Sequence, residues 1–182
     1  EVLAEIDDIE WLKNHRFRSE QLRKGLYERA LQRFTNVYDR QLKERRGGGK
    51  TIEKIQQGWL TLSLCPLYPK EMFCTPPEIR TFMKKITVRD YYGTSDNFPI
   101  CNNRYGTVVQ DGTVFFTLFE SEYVYHIELN CFGLYLYRQS LLREYVHNDK
   151  TIRTIRGGEI FCRLDEFIDS GINYYRELGY RG

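Results

Sequence analysis

The sequence predicts an α+β domain: an antiparallel sheet of hairpins with packed helices, preceded by a helical hairpin. Three observations carry that expectation. The first 46 residues show apolar side chains at helical spacing. The middle of the chain alternates β-branched and aromatic residues around turn formers. The last stretch returns to a helical period and stops at a glycine. Aromatic residues reach 15%, with fourteen tyrosines and eleven phenylalanines, which favours sheet.

In order along the chain, Leu3, Ile6, Ile9 and Leu12 recur at helical spacing and predict an amphipathic helix over residues 1–14. Ser19 is placed to cap a second helix. There Leu22, Leu26, Ala30, Phe34, Tyr38 and Leu42 recur every four residues up to Arg46, where three glycines stop it. Residues 1–46 are thus expected to form a helical hairpin or connector, 47–58 a flexible joint, and 59–182 the α+β domain. WLTLSLCPLYP, from Trp59, alternates leucines and ends in prolines: a strand, then a turn. Thr75-Pro76-Pro77-Glu78 opens a short helix with a cap residue, first-turn prolines and an acid. That helix continues through Ile79, Phe82, Met83 and Ile86. Residues 90–105 read as a loop. Asp111-Gly112 between Thr/Val/Phe runs predicts one hairpin, and the segment Asn130 to Gly133 turns a second. Ile160, Leu164, Phe167, Ile172, Tyr175 and Leu178 share one face of a final helix over 158–178, ended by Gly179.

Composition narrows the function classes. With 41% hydrophobic and 29% charged residues the chain is of ordinary globular type. A net charge of +2 gives no global attraction to nucleic acid or membrane. No apolar run approaches the roughly 20 residues that span a bilayer, so no membrane is expected as a partner. The five cysteines, Cys65, Cys74, Cys101, Cys131 and Cys162, are odd in number and form no C-x2-C pair. Neither a zinc site nor a disulfide framework is expected, and reduced thiols in a cytoplasm fit better. The chain opens on Glu1 inside a helical pattern, which suggests a piece of a longer protein.

Motifs for chemistry are few. Gly49-Lys50-Thr51 matches the end of a P-loop, but the first glycine of that motif falls on Glu44, and a charged helix precedes it rather than a strand. A flexible linker is the better reading. No lysine has an acid two positions before it, so that metal-nuclease signature is absent. Glu120, Glu122 and Glu128 read as solvated edge-strand charges, and His126 as an exposed strand residue. No G-x-S-x-G elbow occurs. No catalytic residue, metal site or cofactor is therefore assigned.

Two surfaces remain as candidates. From Arg16 to Arg46 ten basic residues face four acids, and a helix of this kind can neutralise phosphates without reading sequence. Arg40, Lys43, Arg45, Arg46 and Lys50 are the candidates for nucleic-acid contact. The alternative is an ordinary helix face paired with acids elsewhere, such as Glu159, Asp165, Glu166 and Asp169. Alternation puts Tyr123 with Tyr125, and Tyr135 with Tyr137, each pair on one face of its strand, with Arg138 at a strand end. They are candidates for an interaction surface that stacks bases or binds a partner, with burial under the last helix the favoured reading.

The order WLTLSLCPLYP, DNFPI, ELNCFGLYLYR and LDEFIDSGINYYRELGYRG resembles the region after the N-terminal domain of bacterial Schlafen/AlbA-like proteins, a family associated with DNA binding. The resemblance covers residues 59–182. It implies an upstream domain directed at nucleic acid or ATP, and a further strand after the final helix. Nothing in this chain matches that upstream domain, so no catalytic residue is carried over. The expected function is a non-catalytic regulatory or assembly module of a larger cytoplasmic bacterial protein. Its expected partners are the upstream domain or another subunit, with self-association through the long helix. A nucleic-acid-binding module, with DNA or RNA on the basic helix, is the alternative, and a nuclease subunit or domain the third.

Overall fold

The computed structural model describes residues 6–46, 58–67, 72–89, 97–99, 106–119, 123–155 and 157–180. A five-stranded antiparallel sheet lies between two helical layers. The first layer is α1 (Ile6–Arg46), 41 residues and roughly 60 Å long at the usual helical rise. The two helical segments expected at the start are therefore one helix without a break. Ser19 does not cap it: it sits buried mid-helix, and no helix breaker separates Arg16 from Leu26 strongly enough to interrupt propagation.

The sheet combines β1 (Trp59–Leu64), β4 (Thr107–Val109), β5 (Gly112–Phe119), β6 (Tyr123–Asn130) and β7 (Tyr135–Ser140), in the order β1-β7-β6-β5-β4. Between them in the chain come α2 (Pro76–Ile86) and a two-stranded ladder of β2 (Val88–Arg89) with β3 (Asn97–Phe98). Thr75 and Glu78 close a capping box at the start of α2, with the Thr75 amide donating to the Glu78 carboxylate at 2.7 Å. Both expected hairpins are present. The turn at Gln110–Asp111 joins β4 to β5, where Gly112 is required by close approach: a Cβ there would lie 2.2 Å from the Leu129 carbonyl oxygen. The β6–β7 turn needs Gly133 at φ +88, with Pro66 packed against its Cα.

A second hairpin unit, β8 (Leu142–His147) with β9 (Lys150–Ile155), follows β7. It was not legible in the sequence. Its turn uses Asn148 and Asp149 at φ 50 and 57, the paired left-handed geometry of a tight hairpin, but without the glycine that usually announces one. The chain closes with α3 (Gly157–Glu177) and Gly179 at φ +80.

The core has two sides. Beneath α2 and α3 lie Leu62, Leu64, Phe115, Tyr125, Ile127, Leu129, Tyr135 and Tyr137. On the other side α1 lays Leu26 and Ala30 on Leu134 and Leu136, and Phe34 and Tyr38 on Val124, Trp59 and Phe116. The sheet is thus covered on both faces, and α1 is a layer of the fold. Of the expected joint, 47–58, residues 47–57 lie outside the described residues, and Gly58 accepts a hydrogen bond from the Leu141 amide at 2.8 Å.

Candidate interaction site

Covering both faces of the sheet determines what its polar residues can do. On β6, Val124, His126 and Glu128 alternate toward α1. The register sets His126 opposite Phe116 and Arg138, and Glu128 opposite Val114 and Leu136. Both side chains are 0% exposed. This corrects the expectation of solvated strand charges: β6 is a central strand, and α1 seals the face that alternation assigned to water. Glu120 and Glu122 lie outside the described residues.

Arg33 of α1 neutralises Glu128 from two nitrogens. Its Nε donates to Oε2 at 3.1 Å and a terminal nitrogen donates to Oε1. The other terminal nitrogen lies 3.1 Å from Asp111, which Arg29 approaches at 3.6 Å. His126 Nε2 sits 3.7 Å from Glu128, with the Phe34 ring edge-on at 5.3 Å. Burial holds His126 below its usual range and so neutral. For Glu128 burial pushes upward, but the polar edge of His126 and the Arg33 guanidinium outweigh it, and the carboxyl stays ionised. Arg138 completes the layer, stacked 4.6 Å over Phe34 and 4.9 Å over Trp59. With carboxylate and imidazole both closed to solvent, this network fixes the register of α1 on the sheet.

The tyrosine face is also interior. Tyr125, Tyr135 and Tyr137 are buried beneath α3. The Tyr135 hydroxyl meets Ser170 at 3.1 Å, Tyr137 donates to Gln139 at 2.6 Å, and Gln139 donates to Glu159 at 2.7 Å. Burial raises the Tyr137 hydroxyl well above its ordinary value. These three rings are core, not an exposed stacking surface, and Arg138 points to the opposite side. Tyr123 begins β6 opposite Phe119.

At least four of the ten basic residues of this stretch are paired with acids of α1 or of the sheet. Arg16 pairs with Glu20, Lys24 with Glu28, Arg29 with Asp111, and Arg33 with Asp111 and Glu128. The expected acidic partners on α3 lie across the sheet from these cations. Arg40 is exposed and lines a cleft of about 400 Å³ with Arg33, Asn36, Gln41, Thr107 and Phe116. Lys43, Arg45 and Arg46 fall in the last turn of α1, and Lys50, with the Gly49-Lys50-Thr51 motif, lies outside the described residues. Among the described residues no group of three or more His, Cys, Asp or Glu is placed to hold a metal. No described helix is long and apolar enough to cross a membrane.

The unusual surface is α3 itself. Its inward side carries Arg163, Glu166 and Ser170 beside Phe167 and Tyr174, with Arg163 donating to Glu166 at 2.6 Å. Its outward side carries Phe161 (72% exposed), Leu164 (38%), Ile168 (43%) and Ile172 (51%). Their i, i+3, i+7, i+11 spacing makes one apolar stripe on the solvent side. The single apolar face expected for this helix is therefore two: Phe167 and Leu178 face in, Leu164 and Ile172 face out. At the C-terminal end of the stripe a cleft of about 610 Å³ opens between Leu64, Pro66, Ile172, Tyr175 and Tyr180. A second unburied apolar set, Ile9 (42%), Leu12 (57%) and Phe17 (59%), lies on the part of α1 that extends past the sheet.

No family model, curated protein or solved structure matches this chain.

Proposed function

We propose that this domain is a non-catalytic regulatory or assembly module of a larger cytoplasmic bacterial protein. The observation that carries the reading is the second apolar stripe of α3, which faces outward, opposite a core-facing side that also holds the buried Arg163–Glu166 pair. An arginine–glutamate pair buried at a helix–sheet interface contributes little net stability. Four exposed large apolar residues in line contribute nothing to the fold, whereas contiguous exposed apolar surface is the usual mark of a docking site. Among the described residues, His126, Glu128 and the Arg163–Glu166 pair are buried, and the outward α3 stripe is a large apolar feature that reaches solvent. The resemblance to Schlafen/AlbA-like proteins supports the same placement, beside a domain directed at nucleic acid.

Sedimentation of the 182-residue chain, alone and mixed with the neighbouring domain of its own polypeptide, tests this reading. It predicts self-association, binding to that domain, or both, in each case lost on Phe161→Ser/Ile168→Ser. A monomer that also ignores the neighbouring domain would contradict it.

A further inference from the structure

We infer that the α3 stripe receives the overhanging start of α1 from a second copy of this chain. This rests on the assembly reading and names its partner. The sheet-facing residues of α1 run from Ser19 through Leu26, Ala30 and Phe34 to Tyr38. Counting back at helical spacing, Leu12 and Ile9 continue the same stripe, yet no described residue from Ile9 to Arg18 is buried. The interface with the sheet thus ends while its apolar stripe goes on. Within one chain that overhang cannot reach α3. The two helices lie on opposite faces of the sheet, and α1 runs unbroken through Arg16–Leu26.

Length and charge both match. Residues 6–18 span about 20 Å and Phe161 to Ile172 about 17 Å at the helical rise. Ile9 and Leu12 are bordered by Lys13 and Arg16, three or four residues on, while Asp7, Asp8 and Glu10 lie at the N-terminal end of the overhang, so the cations sit toward its C-terminal half. The α3 stripe is bordered by Asp165 and Asp169, four apart and exposed, and in the last turn by Arg176 on the same edge. Lys13, Asp165 and Asp169 make no ion pair among the described residues. Arg16 holds only an exposed i, i+4 contact with Glu20, which is readily exchanged.

Charge also separates this arrangement from the simpler one. Two α3 helices pairing antiparallel by symmetry would set the Asp165/Asp169 edge of one against the same edge of the other, a like-charge juxtaposition. Overhang on stripe sets cation against carboxylate instead. One such contact is small. Exchange of both overhangs gives a closed two-fold dimer and doubles the area toward the roughly 1,200–2,000 Å² of stable interfaces.

The test is sedimentation equilibrium of the full chain with charge reversal and swap. Lys13→Glu/Arg16→Glu and Asp165→Lys/Asp169→Lys should each weaken the dimer by about tenfold or more. All four substitutions together should restore it, since the pairs are re-formed with opposite sense. All these positions are exposed, and far-UV circular dichroism verifies that each variant folds. A dimer indifferent to Lys13→Glu/Arg16→Glu overturns the inference, as does a failure of the fourfold variant to recover. A chain that is monomeric throughout but binds its neighbouring domain through the stripe overturns the inference and leaves the assembly reading standing. A chain that does neither overturns both.

Discussion

Replacing Arg33 by methionine removes the cation that neutralises a fully buried carboxylate. Glu128 then keeps only the edge of a neutral histidine 3.7 Å away. Breaking a buried pair from one side costs about 3–5 kcal/mol, because the surviving charge stays desolvated. Arg33 is itself 23% exposed, so water can enter the space it leaves, and the lower end of that range, about 3 kcal/mol, is expected. For a chain of this size each kcal/mol moves the melting point by about 2–4 °C, so Arg33→Met should lower Tm by about 6–12 °C. Urea unfolding followed by tryptophan fluorescence is a suitable assay, since Trp59 packs against Phe34, the residue next to Arg33. The double variant Arg33→Met/Glu128→Met removes both charges and should recover most of the loss. A cost below about 1 kcal/mol for Arg33→Met would refute the reasoning, for it would mean that Glu128 is hydrated or protonated rather than held by Arg33.

Three further outcomes follow from the same interior and surface. His126 has a depressed folded pKa, so the unfolded chain binds its proton first and stability falls as pH drops below about 6.5; His126→Phe should flatten that part of the pH–stability profile, read by chemical denaturation. Gly112→Ala drives a Cβ onto backbone 2.2 Å away and should cost more than about 2 kcal/mol, whereas Gly171→Ala meets only the Leu64 side-chain tip at 2.4 Å and should cost less, the order being set by thermal melts. On the assembly reading, reversing Arg40, Arg45 and Arg46 to glutamate leaves any affinity for DNA or RNA unchanged in filter-binding assays; a salt-sensitive loss would make the end of α1 a nucleic-acid surface instead.

The parts of the fold that were legible in the sequence are those governed by local rules. Thr75-Pro76-Pro77-Glu78 announced α2 because capping chemistry is written within four residues. Asp111-Gly112 announced its hairpin as turn formers between two strand-like runs, and the segment Asn130 to Gly133 because its turn demands a glycine. The hairpin at Asn148-Asp149 escaped because asparagine and aspartate tolerate positive φ without advertising it. His126 and Glu128 escaped for a different reason. Alternation reports that a residue faces away from one layer, and it cannot report that α1 waits on the other side. The same limit hid the outward stripe of α3. Phe161, Leu164, Ile168 and Ile172 sit at the same period as the core residues Phe167 and Tyr174, and only the packed sheet tells the two sets apart. For the basic helix the excess of positive charge was visible, but its partial compensation by Asp111 and Glu128 depends on partners about 80 and 95 positions along the chain.

The outward stripe of α3 is the centre of this account, and Ile168→Glu tests it most directly. Ile168 points away from the sheet, so the variant should keep the wild-type far-UV circular dichroism spectrum, with Tm lowered only by the association it loses. Sedimentation velocity of both proteins should show association for the wild type and none for Ile168→Glu. Equal association by the two folded proteins would contradict the account.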